Sequence, residues 1–202
     1  MASAPLAKSP RMSVGLFRAF YATRPDEERW ELIDGIAVMM TPPTLAHQVI
    51  AGNLQRLLSD ALEEHHPTLL AVQRAGLNLA PAIENYDPEP DVVVIDGALA
   101  EQSGERYAGR FHLVAEIVSA SDRVDVEGKR EIYKLHDACR CILTVQQDRF
   151  EVRIDLRATT DWQAQVLKQP DDILELADFG LSCHVSDLYR GTSLRPRHAQ
   201  RA

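Results

Sequence analysis

Two short runs, DVVVI at 91–95 and FHLVAEIV at 111–118, constrain this chain more than any other feature of it. Both are apolar at nearly every position rather than at every second one, and a strand of that kind has to be covered on both faces. The chain is therefore expected to build a sheet with helices packed on either side, and these two strands belong inside it. One residue breaks the second run. Glu116 sits in the middle of it, where an uncompensated carboxylate carries a large desolvation cost. It needs an Arg or Lys partner, a proton, a metal ion, or a strand end that reaches water.

The remaining segments fit around that sheet. Residues 13–22 (SVGLFRAFYA) carry apolar side chains at helical spacing and stop before Pro25, and ELIDGIAVMM at 31–40 reads as two strands joined at Asp34-Gly35. After Pro42 and Pro43, Thr44 caps a helix running to about His66, with Ile50, Leu54, Leu57, Leu58 and Ala61 as its apolar stripe. Extended segments are expected at about 69–80, 91–95 and 111–118, then a helix at about 125–137. Strands follow at 141–145 (CILTV) and 150–156 (FEVRIDL), the latter alternating as a half-exposed strand should. Short edge β-structure is expected near 162–168, 173–176 and 181–185, and a last helical turn at 186–190. We divide the chain into a disordered N-terminus (1–12), one domain (13–190) and a C-terminal tail (191–202).

Composition narrows the function. The chain has 202 residues, 45% hydrophobic, and a net charge of −8, so a surface that grips polyanions everywhere is excluded and any nucleic-acid contact must be local. Cysteines at 139, 141 and 183 form no CxxC pair, which argues against a zinc knuckle or a disulfide framework and fits a reducing cytoplasm. Cys139 and Cys141 read most simply as small core residues. No apolar run is long enough to cross a bilayer, so no membrane partner is expected. The chain also lacks GxSxG, GxxxxGK, HExxH and GxGxxG patterns.

Several further residues stand out. Asp91 heads the first apolar run, where it could serve chemistry or merely bond nearby backbone amides. Lys129 falls in the stripe Val126, Lys129, Tyr133 and His136, the helix face that should pack on the sheet; its alternative role is a lysine that snorkels to water. Glu31 opens the ELIDG hairpin and could be a surface charge. His47 lies in the first turn of the long helix and could be simply solvated. Together, two carboxylates on neighbouring strands and a lysine on the following helix supply ligands for a divalent ion and a cation for phosphate or water.

The ordered set ELIDG, PPTLAHQ, PEPDVVV, AEIVSAS and GKREIYKL resembles the Uma-two family of bacterial endonucleases, within the PD-(D/E)XK restriction-endonuclease-like superfamily. The resemblance implies an α/β fold with a mixed central sheet flanked by helices. It implies a metal-dependent endonuclease acting on DNA, holding Mg²⁺ or Mn²⁺ with Asp91, Glu116 and the backbone carbonyl of Ile117. By the same resemblance Glu31 is a further ligand, direct or through water, and Lys129 orients the attacking water or neutralises developing charge. His47 and Tyr133 take supporting or substrate-contacting places. Two departures stand out. Val118 occupies the superfamily's usual lysine position, with Lys129 and Tyr133 reproducing the family's K-x-x-x-Y instead, and RCILTV at 140–145 replaces a segment resembling EYWLVD. A homodimer is consistent with cutting both strands of a duplex. The rival expectation is a non-catalytic protein of the same fold that binds nucleic acid or a protein partner.

Overall fold

The computed structural model describes residues 11–80, 82–102, 106–119, 123–159 and 161–197. The expected N-terminal disorder and C-terminal tail thus fall outside the described residues at 1–10 and 198–202. The Cα positions group into two units, Met1–Thr41 with Leu79–Pro88, and Pro42–Asn78 with Glu89–Ala202.

The first unit holds α1 (Val14–Tyr21), β1 (Trp30–Ile33) and β2 (Ile36–Met39). Ser13 caps α1 by accepting from Leu16 N. β1 and β2 pair antiparallel across Asp34 and Gly35, both at positive φ (49° and 77°), the geometry that lets a two-residue turn follow the strand twist. A side chain at Gly35 would also meet Arg11 Cβ at 2.6 Å. Val14, Phe17 and Leu32 form this unit's core, with Phe20 and Trp30 edge-to-face beside it. Arg18 grips the buried Asp87 with two bonds of 3.0 Å. Burial still dominates there and holds the Asp87 carboxyl above its ordinary range.

The second unit runs α2 (Leu45–His65), β3 (Leu69–Gln73), β4 (Gly76–Leu77), β5 (Val92–Asp96), α3 (Gly97–Ala100), β6 (Tyr107–Ala108), β7 (Phe111–Val118) and α4 (Arg123–Lys134). It continues with β8 (Cys141–Gln146), β9 (Val152–Arg157), β10 (Trp162–Leu167), β11 (Ile173–Leu176), a 3-10 turn (Ala177–Phe179), β12 (Leu181–His184) and α5 (Val185–Leu188). Six strands form one sheet in the order β10-β9-β8-β7-β5-β3. Only β7 and β8 pair parallel, so the sheet is mixed, and both apolar runs lie inside it as their composition requires.

Alternation along β7 assigns its two faces. Leu113, Ala115 and Ile117 join Val92, Val94, Cys141, Leu143 and Val145 in the main core, against Ile50, Leu54, Leu58 and Leu62 of α2. Glu116 and its even-numbered neighbours look the other way, toward α4. Thr44 caps α2 as expected, accepting from His47 N at 3.1 Å.

The expected strand at 69–80 divides. Arg74 takes φ 57°, and beyond it Gly76–Leu77 pairs with β6 instead of continuing the main sheet. The helix expected at 125–137 ends at Lys134. Arg157 then collects carbonyls that the helix end leaves without amide partners, donating to Lys134 O, His136 O and Cys139 O at 2.7–2.8 Å. Near the C-terminus, residues 191–197 are tied down by Gly191 N to Arg195 O (2.8 Å) and by an ion pair between Arg195 and Asp187. Among the described residues, no helix is long and apolar enough to cross a membrane.

Candidate active site

Asp91 is the residue before β5, and the register Val92 to Ala115 brings it beside Glu116 on β7. Its carboxylate is held at both oxygens. Oδ2 accepts from Ile117 N at 2.8 Å, and Oδ1 lies 2.8 Å from His47 Nε2. An ionised carboxylate only accepts, so His47 Nε2 carries the proton and donates it. Both side chains keep 19% of their surface in solvent, which leaves an approach to this end of the sheet. His47 reaches Asp91 because it sits in the first turn of α2, directly after the capped Pro-rich turn.

Glu116 lies deeper, at 7% exposure. Tyr133 OH donates to its Oε1 at 2.7 Å, and Lys129 Nζ stands 3.5 Å from the same oxygen. Positions 129 and 133 are one helical turn apart, so α4 presents both to the strand beneath it. Lys129 is only 5% exposed and therefore does not snorkel to water. The carboxylate that had to be compensated is thus compensated, by an ammonium and a phenol from the covering helix. Val118, at the superfamily's lysine position, is buried opposite Gln146.

The Ile117 carbonyl follows from backbone alternation. Gln147 N donates to Val118 O on the β8 side, so the N–H and C=O of Ile117 turn to the β5 side, where the N–H meets Asp91. Asp91, Glu116 and Ile117 O are all hard oxygen donors, the type that Mg²⁺ and Mn²⁺ take, and Mg²⁺ sites commonly use one or two carboxylates completed by water and phosphate. The chemistry of this donor set fits such an ion. Among the described residues, no group of three or more His, Cys, Asp or Glu side chains is arranged to hold a metal, so the rest of the coordination shell would have to come from backbone, water or substrate. Glu31 is placed in β1 of the first unit, opposite Val38 and 1% exposed.

The same sheet face carries a second polar group that the sequence did not reveal. Asp155 on β9 is 1% exposed, bonded by Arg153 at 2.8 and 3.0 Å and approached by Arg130 at 3.8 Å and Lys134 at 3.7 Å. The alternation of FEVRIDL suggests a half-exposed strand whose polar face meets solvent. The available signal was the Arg153–Asp155 spacing of two, which puts opposite charges on one face. Between this group and Glu116 lies Thr144, the β8 partner of Glu116, whose buried hydroxyl has no hydrogen-bond partner among the described residues.

A solved structure described as a "putative nuclease belonging to DUF820" from Anabaena variabilis ATCC 29413 superposes with a TM-score of 0.66 at 14% sequence identity, over 88% of this chain and 97% of that one. The likeness shows the fold, a nuclease-type mixed α/β sheet flanked by helices. The model of the Uma2 family, described as "Putative restriction endonuclease", matches residues 16–186, and the chain belongs to that family. No curated protein matches the chain.

Proposed function

We propose that this protein is a metal-dependent endonuclease that hydrolyses phosphodiester bonds in DNA. One observation carries the reading: the strand register sets Asp91, just before β5, beside Glu116 on β7, and an ammonium from α4 stands 3.5 Å from the Glu116 carboxylate. A bound Mg²⁺ or Mn²⁺ supplies Lewis acidity toward the scissile phosphate and lowers the pKa of a water molecule. The chain's own residues hold and orient. His47 and the Ile117 amide fix the rotamer of Asp91, and Tyr133 fixes that of Glu116. Lys129 donates from Nζ to the attacking water or to a phosphoryl oxygen as negative charge builds there. Water supplies the oxygen that joins phosphorus, the bond to the leaving sugar oxygen breaks, and that oxygen takes up a proton. Membership of a family described as restriction endonucleases supports nucleic acid as the substrate. The net charge of −8 restricts the contact to a local patch.

The competing reading is a nuclease-fold protein that binds without cutting, and the direct Glu116–Lys129 pair favours it, since that pair neutralises the buried acid without any ion. Thermal unfolding with and without Mn²⁺ separates the two. At a hundredfold excess over Kd the ion adds about 2.7 kcal/mol, roughly 5–10 °C in Tm for a chain of this length. Asp91→Ala should remove that gain together with Mn²⁺-dependent cleavage of a labelled oligonucleotide. A wild type with no Mn²⁺ shift and no cleavage would establish the non-catalytic reading.

A further inference from the structure

The two edges of the six-stranded sheet are treated differently. At one edge α2 packs along β3, and Gln55 Nε2 donates to Ala71 O at 3.1 Å, so a side chain occupies a backbone group that a strange strand could otherwise use. The other edge is β10, Trp162–Leu167, and no strand among the described residues pairs beyond it. Gln163, Ala164, Gln165 and Val166 are all exposed. Natural sheets blunt such an edge with lysine, proline, a bulge or a covering element. WQAQVL has no charge and no proline, in a chain where 26% of residues are charged, and its register with β9 is unbroken over all six pairs.

The backbone directions follow from the neighbouring ladder. Arg157 N donates to Arg140 O, so the odd-numbered residues of β9 turn their amides toward β8 and the even-numbered ones toward β10. Residues 163, 165 and 167 of β10 therefore bond to β9, and 162, 164 and 166 turn their N–H and C=O groups outward. The Trp162 amide is already taken by its neighbour Asp161 Oδ1 at 2.7 Å, which closes the ladder at that end. What remains open is centred on Ala164 and is nearly symmetric about it, Gln-Ala-Gln flanked by Trp162 and Val166.

We propose that β10 is a homodimer seam, at which the β10 strands of two copies pair antiparallel about a two-fold axis through Ala164. Each Ala164 exchanges two backbone bonds with its counterpart, and each Val166 N–H donates to Trp162 O across the axis. Gln163 then faces Gln165 of the second copy in the close, non-hydrogen-bonded position, where each amide both donates and accepts. A neutral seam suits this partner, because two copies that each carry −8 repel each other least where neither adds like charge. A second copy satisfies the self-complementary pattern on both sides of the axis, except at Val166 O, whose counterpart Trp162 N–H stays with Asp161. The proposal is independent of whether the protein cuts DNA.

Sedimentation velocity over a range of loading concentrations tests it with three full-length chains. Wild type should show a concentration-dependent dimer. Gln163→Lys with Gln165→Lys sets lysine against lysine twice across the axis and should raise the dimer dissociation constant about tenfold. Gln163→Lys with Gln165→Glu sets lysine against glutamate at the same two places and should restore dimerisation. That charge-paired variant also carries two substitutions, so it controls for folding, and far-UV circular dichroism checks all three. A wild type that stays monomeric at every concentration overturns the proposal. So does a double-lysine variant that dimerises like wild type, or a lysine–glutamate variant as weak as the double-lysine one.

Discussion

Tyr133→Phe removes one oxygen from the centre of the candidate site and nothing else. The ring is fully buried and meets Phe111 edge-on at 6.3 Å, a contact that phenylalanine keeps, so the packing change is small. The hydroxyl donates to Glu116 Oε1 at 2.7 Å in a buried setting. A hydrogen bond to a charged group contributes about 1.5–3 kcal/mol. With roughly 2–4 °C of Tm per kcal/mol for a chain this long, the variant should melt roughly 3–12 °C below wild type. Urea unfolding should lower the midpoint at constant m-value, since no surface is newly exposed. Coupling to the carboxylate is then isolated by a cycle with Glu116→Gln. If the hydroxyl acts through Glu116, the double variant should lose clearly less than the sum of the single losses. A Tm within about 1 °C of wild type, or strictly additive losses, would refute the claim that Tyr133 holds Glu116 in place.

Three further outcomes follow. Lys129→Met keeps most of the stem and removes the charge, so it should abolish cleavage while leaving the Mn²⁺-induced Tm shift nearly intact; an active Lys129→Met enzyme sinks the assigned role. His47→Ala leaves Asp91 Oδ1 without its donor, and Mn²⁺ affinity by isothermal titration calorimetry should fall about 10- to 100-fold, an unchanged affinity contradicting its orienting role. His136 is held below its ordinary pKa chiefly by burial, with Nε2 donating to Gly109 O and a buried Nδ1 that has no hydrogen-bond partner among the described residues. The unfolded chain therefore binds the extra proton more readily. Stability should fall as pH drops below about 6.5 toward the folded value, and His136→Phe, which can keep the stack on Phe111, should flatten a Tm-against-pH curve there.

The parts of the fold that could be read from sequence are those with a local cause. Thr44 and the apolar stripe define α2, Asp34-Gly35 defines its hairpin, and the unbroken apolar runs of β5 and β7 require cover on both sides. The break after β3 had no such cause on the surface of the sequence, because Arg74 reaches φ 57° without being glycine. The two-residue strands β4 and β6 are too short to carry a period. The Asp155 cluster stayed hidden for a different reason. Alternation shows which residues share a face of β9 but not what covers that face, and here α4 supplies Arg130 and Lys134 where solvent was expected.

The same limit explains how a strand without a lysine acquires one in space. A lysine two residues after Glu116 would project on the same face as the carboxylate, about 7 Å along the strand. Val118 fills that place and is buried against the sheet's covering layer, so the position contributes packing and no charge. The ammonium comes from above instead, on Lys129, one helical turn before the tyrosine that grips the same carboxylate. Charge and hydrogen bond thus reach Glu116 from one rigid element. A strand lysine would be fixed by β7 alone, whereas Lys129 keeps its place only while α4 stays seated on β7 and β8. Any substitution that tilts α4 should therefore disturb Lys129 and Tyr133 together. Removing the Arg157 side chain, which ties the end of α4 to β9, is the change through which such a tilt would be felt farthest from the carboxylates.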